Sequence, residues 1–229
     1  MSVFSVIVIL LPPMCAATGM GAWLLRRAFQ RDRRLPEEVA LGASWIFLAG
    51  SLVWLGVYLR GSTLLGFAAP WTWLAAAHFA FAGYGALTVT ALCCRAVSDP
   101  VTVRRLRILL PFHPVLYLIT AGGIMGYRFC DEIGATGYWV LFLAQLSLVV
   151  RSRPDRMPGV PGRLLPVALA VPVLTLIPAM AWAWGRPFLG MSGMIHYHGV
   201  VNAVGHVGLG LFAFLLGRPA SHAALRVHL

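Results

Sequence analysis

Seven apolar runs of about twenty residues, the length a helix needs to cross the hydrocarbon core of a bilayer, follow one another along this chain. They read Val3 to Leu25, Val39 to Leu59, Trp71 to Cys94, Ile108 to Tyr127, Ile133 to Val150, Leu164 to Trp184 and Ile195 to Gly217. Lipid offers no partner to a backbone amide, so a spanning segment must satisfy its own hydrogen bonds, and unbroken runs of this length do so as α-helices. Hydrophobic residues make up 59% of the sequence and charged ones 11%, against roughly 25% charged in soluble domains, so a soluble globule is excluded. The expected architecture is all-α: a polytopic membrane bundle of seven transmembrane helices, one domain over residues 1–229, with no linker, repeat or soluble appendage.

A net charge of +11 raises nucleic acid as a partner, but the distribution of charge argues against it. All eighteen basic residues are arginine, and they gather in short clusters between the apolar runs. Arg26, Arg27, Arg31, Arg33 and Arg34, then Arg95, Arg104, Arg105 and Arg107, then Arg151, Arg153, Arg156 and Arg163, and finally Arg218 and Arg226 fall on alternate loops. Only Arg60, Arg128 and Arg186 fall on the other side. The positive-inside rule therefore predicts an outer N-terminus, a cytoplasmic C-terminus and an odd number of spans, in a multi-pass protein of the cell membrane. The first run has its positive cluster after the apolar stretch and lacks a basic leader, the arrangement of a retained anchor rather than a cleaved signal. Membrane lipid is thus an expected partner and nucleic acid is not. No span offers a decisive dimer face.

Prolines mark where helices bend. Pro12 and Pro13 interrupt the first run, Pro111 and Pro114 mark the start of the fourth, and Pro166, Pro172 and Pro178 recur through the sixth. Each removes a backbone donor and frees a carbonyl that another group must serve. Cys15, Cys93, Cys94 and Cys130 show no CxxC spacing and read as small apolar residues, so neither a metal site nor a resident cofactor is expected.

Polar side chains at membrane depth are costly unless satisfied, which makes them markers of a cavity, ligand or site. In the last run His198, Asn202 and His206 are spaced by four and fall within about 80 degrees of one another on an ideal helix, while His196 points away. Gly205 beside them lets a neighbour approach closely. The third run carries His78 among Ala75, Ala82 and Gly85, a small-residue face suited to a helix neighbour, and the topology predicts His78 and His198 at similar depth. Between the fourth and fifth runs lie Tyr127, Arg128, Asp131 and Glu132; a carboxyl at a membrane mouth can be desolvated enough to act as an acid. Asp131 and Glu132 are adjacent, so at most one is expected to serve a site. Glu37, Glu38, Asp99 and Asp155 are expected as surface charges, and His113, His222 and His228 as incidental. Trp71, Trp73, Trp182 and Trp184 suit an interfacial belt.

Two stretches, His-Phe-Ala-Phe-Ala-Gly-Tyr at 78–84 and His-Gly-Val-Val-Asn-Ala-Val-Gly-His at 198–206, resemble the signature stretches of the YndJ-like bacterial membrane proteins. The departures are Ala80, where the family pattern has a second histidine, and His206, where it has an aromatic. The resemblance implies a seven-span bundle and fixes no activity. In size and span number the chain is also similar to small membrane terpene cyclases, which implies acid-initiated chemistry on a lipophilic substrate. Such an enzyme needs an acid for an alkene or epoxide, an aromatic cavity, and a base. The expected catalytic set is Asp131 or Glu132, or a protonated histidine, as acid, with His78 and His198 placing the reacting oxygen or removing the final proton and Asn202 orienting them, and substrate contacts from His206, Tyr127, Tyr138, Trp182 and Trp184. A carrier or proton relay built on the same stripe is the alternative, followed by haem held between His78 and His198 or His206.

Overall fold

The computed structural model describes residues 1–31 and 34–222; Arg33, Arg226 and His228 lie outside the described residues. Among the described residues seven helices are long and apolar enough to cross a membrane: α1 (Val3–Phe29), α2 (Pro36–Arg60), α3 (Trp71–Ala96), α4 (Pro100–Ile124), α5 (Cys130–Ser152), α6 (Val160–Ala183) and α7 (Met191–Gly217). Every expected span has its helix, and no strand occurs among the described residues.

Local chemistry sets the boundaries. The Ser2 hydroxyl caps α1 by accepting from the Ser5 amide at 3.1 Å, and α2 starts with Pro36 in its first turn and ends on Gly61 in the left-handed region at φ 63°. α4 begins well before the expected Ile108, because the Asp99 carboxylate accepts from the Thr102 amide at 2.8 Å and Pro100 follows it. Pro111 does not start that helix; it sits at a break between Pro100–Leu109 and Phe112–Ile124. α1 runs on through Pro12 and Pro13, and α6 through Pro166, Pro172 and Pro178. Among the described residues three stretches are wound as π-helix, with i→i+5 bonding: Phe79–Ala86 inside α3, and Ile195–Val200 and Asn202–Gly208 inside α7. Such turns are rare and gather at functional positions.

The described residues divide within α3 into two compact units, one over Met1–Thr88 and the other beginning at Val89. In the first, glycine lets helices touch: a Cβ at Gly21 would lie 3.2 Å from the Gly42 carbonyl oxygen, and one at Gly50 would lie 2.8 Å from the Phe79 ring. The Ser51 hydroxyl crosses from α2 to donate to the Ala76 carbonyl on α3 at 2.7 Å. Glu37, expected on the surface, is fully buried at the start of α2, where a carboxylate suits the helix dipole. Glu38 stays near the surface with Arg31 at 3.9 Å.

In the second unit the inner end of α3 forms the centre: Val89, Ala91, Cys93, Cys94 and Ala96 have no exposed surface. The buried cysteines behave as small apolar groups. The α4–α5 pair is drawn together at Gly134, whose Cβ would sit 3.0 Å from Thr120 Cα. Outside the core, large apolar side chains such as Leu118, Leu174 and Leu215 face outward, as lipid-facing residues of a multi-pass protein do. Asp155, also expected as a surface charge, holds a loop by accepting from the Ser98 amide at 2.9 Å and from the Ser98 hydroxyl.

Two outcomes test these contacts. Replacing Gly134 by leucine forces α4 and α5 apart and should destabilise the folded protein by about 1–3 kcal/mol, the usual range for overpacking, read as a lowered midpoint in detergent unfolding. Hydrogen bonds from the Thr102 hydroxyl and amide hold the exposed Asp99 carboxyl below its ordinary range. A group with a depressed folded-state pKa contributes stability above its unfolded value and loses it as pH falls through the folded one. Acidification below the ordinary carboxylate range should therefore weaken the wild type more than Asp99→Asn, which caps without titrating.

Candidate functional site

α6 offers carbonyls to side chains of its neighbours, and one of those carbonyls has lost its helical partner. Pro172 has no amide hydrogen, so the carbonyl four residues earlier, that of Ala168, loses its helical partner. His206 on α7 donates its Nδ1–H to that oxygen at 3.0 Å. The Thr175 carbonyl, which no proline frees, accepts from His198 Nδ1 at 3.3 Å. A third carbonyl, that of Val173, accepts from the Trp139 indole of α5 at 3.0 Å. The close approach depends on Gly205, where a Cβ would meet the Val171 side chain at 3.0 Å.

These bonds fix the imidazole tautomer. A carbonyl oxygen only accepts, so the Nδ1 of His206 carries the proton and Nε2 of the neutral ring is a bare acceptor. His206 is 2% exposed, and its Nε2 has no hydrogen-bond partner. One turn earlier, Asn202 donates its amide to the His198 carbonyl at 2.7 Å, which leaves its buried Oδ1 without a partner. His198, Asn202 and His206 thus form a column along the α6-facing side of α7, inside the π-helical stretches.

The column ends against an aromatic and polar layer. The His206 ring meets Phe142 of α5 edge-on at 5.1 Å, Phe142 stacks with Tyr138 at 5.8 Å, and His113 of α4 lies edge-on to both, 5.1 Å from Tyr138 and 5.9 Å from Phe142. The Tyr138 hydroxyl donates to the His113 carbonyl at 2.9 Å. Thr90 joins the layer, 3.5 Å from His113 Nδ1 and 3.4 Å from Gln145 Oε1.

A groove of about 750 Å³ opens elsewhere on the second unit, along α4 and α5. Leu109, Phe112, Leu116, Ile133, Val140 and Leu141 give it apolar walls, Phe129 and Trp184 supply aromatic rings, and the polar members are Glu132 and Thr136. Phe129 is held at φ 64°, a strained conformation for a bulky residue, immediately before α5. Trp184 donates its indole hydrogen to the Thr136 hydroxyl at 3.2 Å. Glu132, in the first turn of α5, has one carboxylate oxygen, Oε2, that is buried without a hydrogen-bond partner. Volumes of about 300–1,000 Å³ with apolar walls and a few placed polar groups are typical of small-molecule sites.

The expected site residues therefore fall into separate places. His198, Asn202 and His206 share the column; Glu132 and Trp184 share the groove. Asp131 does not line the groove and instead accepts from the Glu132 amide at 3.1 Å. Tyr138 faces the interior layer and is 7% exposed, whereas Tyr127 and Trp182 are exposed. Arg128 stacks its guanidinium on the Phe129 ring at 4.5 Å. His78 belongs to the first unit, half-buried at the threshold of the π-helical stretch of α3. His196 donates to its own helix, at the Ser192 carbonyl, 2.7 Å away.

Three core residues escaped the sequence reading. His113, taken as a helix-start residue, is fully buried in mid-span, because the Asp99 cap starts α4 far earlier. Gln145 is 1% exposed and was legible as a polar residue inside an apolar run. Thr90 gave no signal, since threonine is common in such helices. His222, also taken as incidental, bonds through Nε2 to the Cys94 carbonyl at 2.7 Å. Among the described residues no group of three His, Cys, Asp or Glu side chains could hold a metal ion.

The family profile of the YndJ-like proteins matches residues 4–206, most of the chain and both signature stretches. No curated protein and no solved structure matches.

If the Pro172-freed carbonyl is what His206 serves, the two positions must be coupled. His206→Leu should cost about 1–3 kcal/mol, the penalty for leaving a buried acceptor unpaired. In a Pro172→Ala background the restored amide at position 172 can reach the Ala168 oxygen, and the same substitution should cost less than half as much. Unfolding midpoints of the four proteins in one detergent give the double-mutant cycle.

Proposed function

The chain belongs to the YndJ-like family of membrane proteins, and we propose that it is an intramembrane enzyme acting on a lipophilic substrate held in the α4–α5 groove. The observation that carries this reading is the buried Glu132 carboxylate oxygen, without a hydrogen-bond partner, in a largely apolar wall. An unpaired polar atom there is costly, and a ligand bearing a hydroxyl, an epoxide oxygen or a polarised alkene offsets the cost.

The chemistry that suits this arrangement is a cyclisation or isomerisation. Glu132 gives its proton to the epoxide oxygen or to an alkene carbon, and the resulting carbocation lies among the rings of Phe112, Phe129 and Trp184, whose faces attract positive charge. Loss of a proton from a neighbouring carbon back to the Glu132 carboxylate completes the turnover, so no external acid, base or redox partner is consumed. Thr136 positions Trp184 through its hydroxyl. The histidines of α7 lie outside the groove wall and take no part in this step.

The test uses purified protein in nanodiscs with two probes, a polyprenyl chain with a terminal epoxide and the same chain with a terminal alkene. Product formation followed by mass spectrometry should fall at least 100-fold in Glu132→Gln, within the usual range for losing an acid catalyst, and recover in part in Glu132→Asp. Binding of the chain should change the Trp184 fluorescence, with Trp184→Phe as the control. Turnover that survives Glu132→Gln, or neither probe being bound or converted, overturns the reading.

A further inference from the structure

The groove on α4 and α5 has a direction and a length. Glu132, Thr136, Val140 and Ala144 line it and follow one another in steps of four, so one row of α5 makes one wall. Leu116, Phe112 and Leu109 face them from α4, which runs the opposite way. Gly134 packs against Thr120 and Gly137 against Leu116, a register that brings Ala144 opposite Leu109. Polar groups stand at one end only: Glu132 and Thr136, with the Trp184 ring that Thr136 holds, while the lining from Val140 to Ala144 is apolar. Twelve residues separate Glu132 from Ala144, which at 1.5 Å of rise per residue is about 18 Å of helix. The seam is tied at both ends, by the approach of Gly134 to Thr120 near Glu132 and by the hydrogen bond between the Thr102 and Ser152 hydroxyls beyond Ala144.

Granted the Glu132 groove as a ligand site, on which this reading rests, we infer that it takes a linear prenyl chain with a neutral oxygen group at one end, and that Ala144 and Leu109 set the length of chain accepted. The oxygen end meets Glu132, whose Oε2 has no hydrogen-bond partner; a hydroxyl there can both donate and accept. A phosphorylated head does not suit the site. No lining residue is cationic, and Arg128 is stacked on Phe129 outside the wall, so nothing in the groove offsets the repulsion between a phosphate and the Glu132 carboxyl. At the other end the tail gains little simply by meeting apolar walls, because the lipid it leaves is equally apolar. Length is therefore told by shape: a short chain leaves the far wall unfilled, and one that runs past Ala144 must turn out into lipid. Ala144 is the smallest side chain in its row, and a larger one there shortens the usable groove.

The experiment follows Trp184 fluorescence of the full chain in phosphatidylcholine nanodiscs, with Trp184→Phe as the blank, during titration with the fully hydrogenated forms of geraniol, farnesol and geranylgeraniol. These alcohols lengthen by one isoprene unit at a time and hold no alkene or epoxide, so binding is read apart from turnover. The wild type should bind the longest more tightly than the shortest. Ala144→Phe should turn that preference toward the shorter chains by about tenfold or more, the scale on which a pocket tells chains of different length apart. Leu109→Ala opens the same end from α4 and should turn the preference the other way; it decides the matter where Ala144→Phe does not fold. The diphosphate ester of the longest alcohol should bind about tenfold more weakly than the alcohol itself, or weaker still. A length preference that neither substitution moves overturns the inference, as does tighter binding of the diphosphate or the absence of a saturable Trp184 signal with every chain. A length order that shifts as expected, with no conversion of the epoxide or alkene probe, refutes the enzyme reading and leaves this one standing.

Discussion

The second unit depends on a trade made at Pro172. A proline inside a transmembrane helix removes an amide hydrogen and leaves a carbonyl in a medium with no water to serve it. α6 accepts this and lets His206 make the missing bond, while Trp139 on one flank and His198 on the other bond to further α6 carbonyls that no proline has freed. Each such bond passes between helices rather than along one. A helix that cannot complete its own ladder thereby becomes the place where α5 and α7 are held, and the tautomer of His206 follows from that same bond.

Glycine supplies the distance at which those bonds can form. Gly205 brings α7 onto Val171, Gly210 brings it onto Val89, and Gly134 brings α4 against α5. In lipid, where apolar surface gains little by meeting apolar surface, close backbone contact and interhelical hydrogen bonds carry most of the association. Where the contacting residues are larger, as along Leu109, Phe112 and Val140, the helices leave the groove instead. Close packing and an open wall on the same pair of helices follow from which residues sit at each level.

Most of the architecture was legible because hydropathy is a one-dimensional signal: a run of about twenty apolar residues specifies a spanning helix whatever its neighbours are. The stripe of His198, Asn202 and His206 was legible for the same reason, since spacing by four fixes a common face before any partner is known. What could not be read was anything that depends on who faces whom. The service of Ala168 by His206 needs two helices in register, and the choice of Glu132 over Asp131 for the groove is a matter of which way each carboxyl leaves the first turn of α5. His113 was misread for a local reason: a capping aspartate and a proline start α4 in what looked like a loop, and that moves the histidine from the end of a helix to its middle.

The π-helical stretch over Asn202–Gly208 also bears on how this helix can change length. A π-turn is a place where a helix carries a residue more than an α-turn would need. Loss of one residue from that stretch would let the ladder close in the ordinary way, with Leu209 to Gly217 still presented to the same neighbours. Loss of one residue from an α-wound part of α7 would rotate everything beyond it by about 100 degrees. The segment with the most polar chemistry is thus also one where the helix tolerates a deletion.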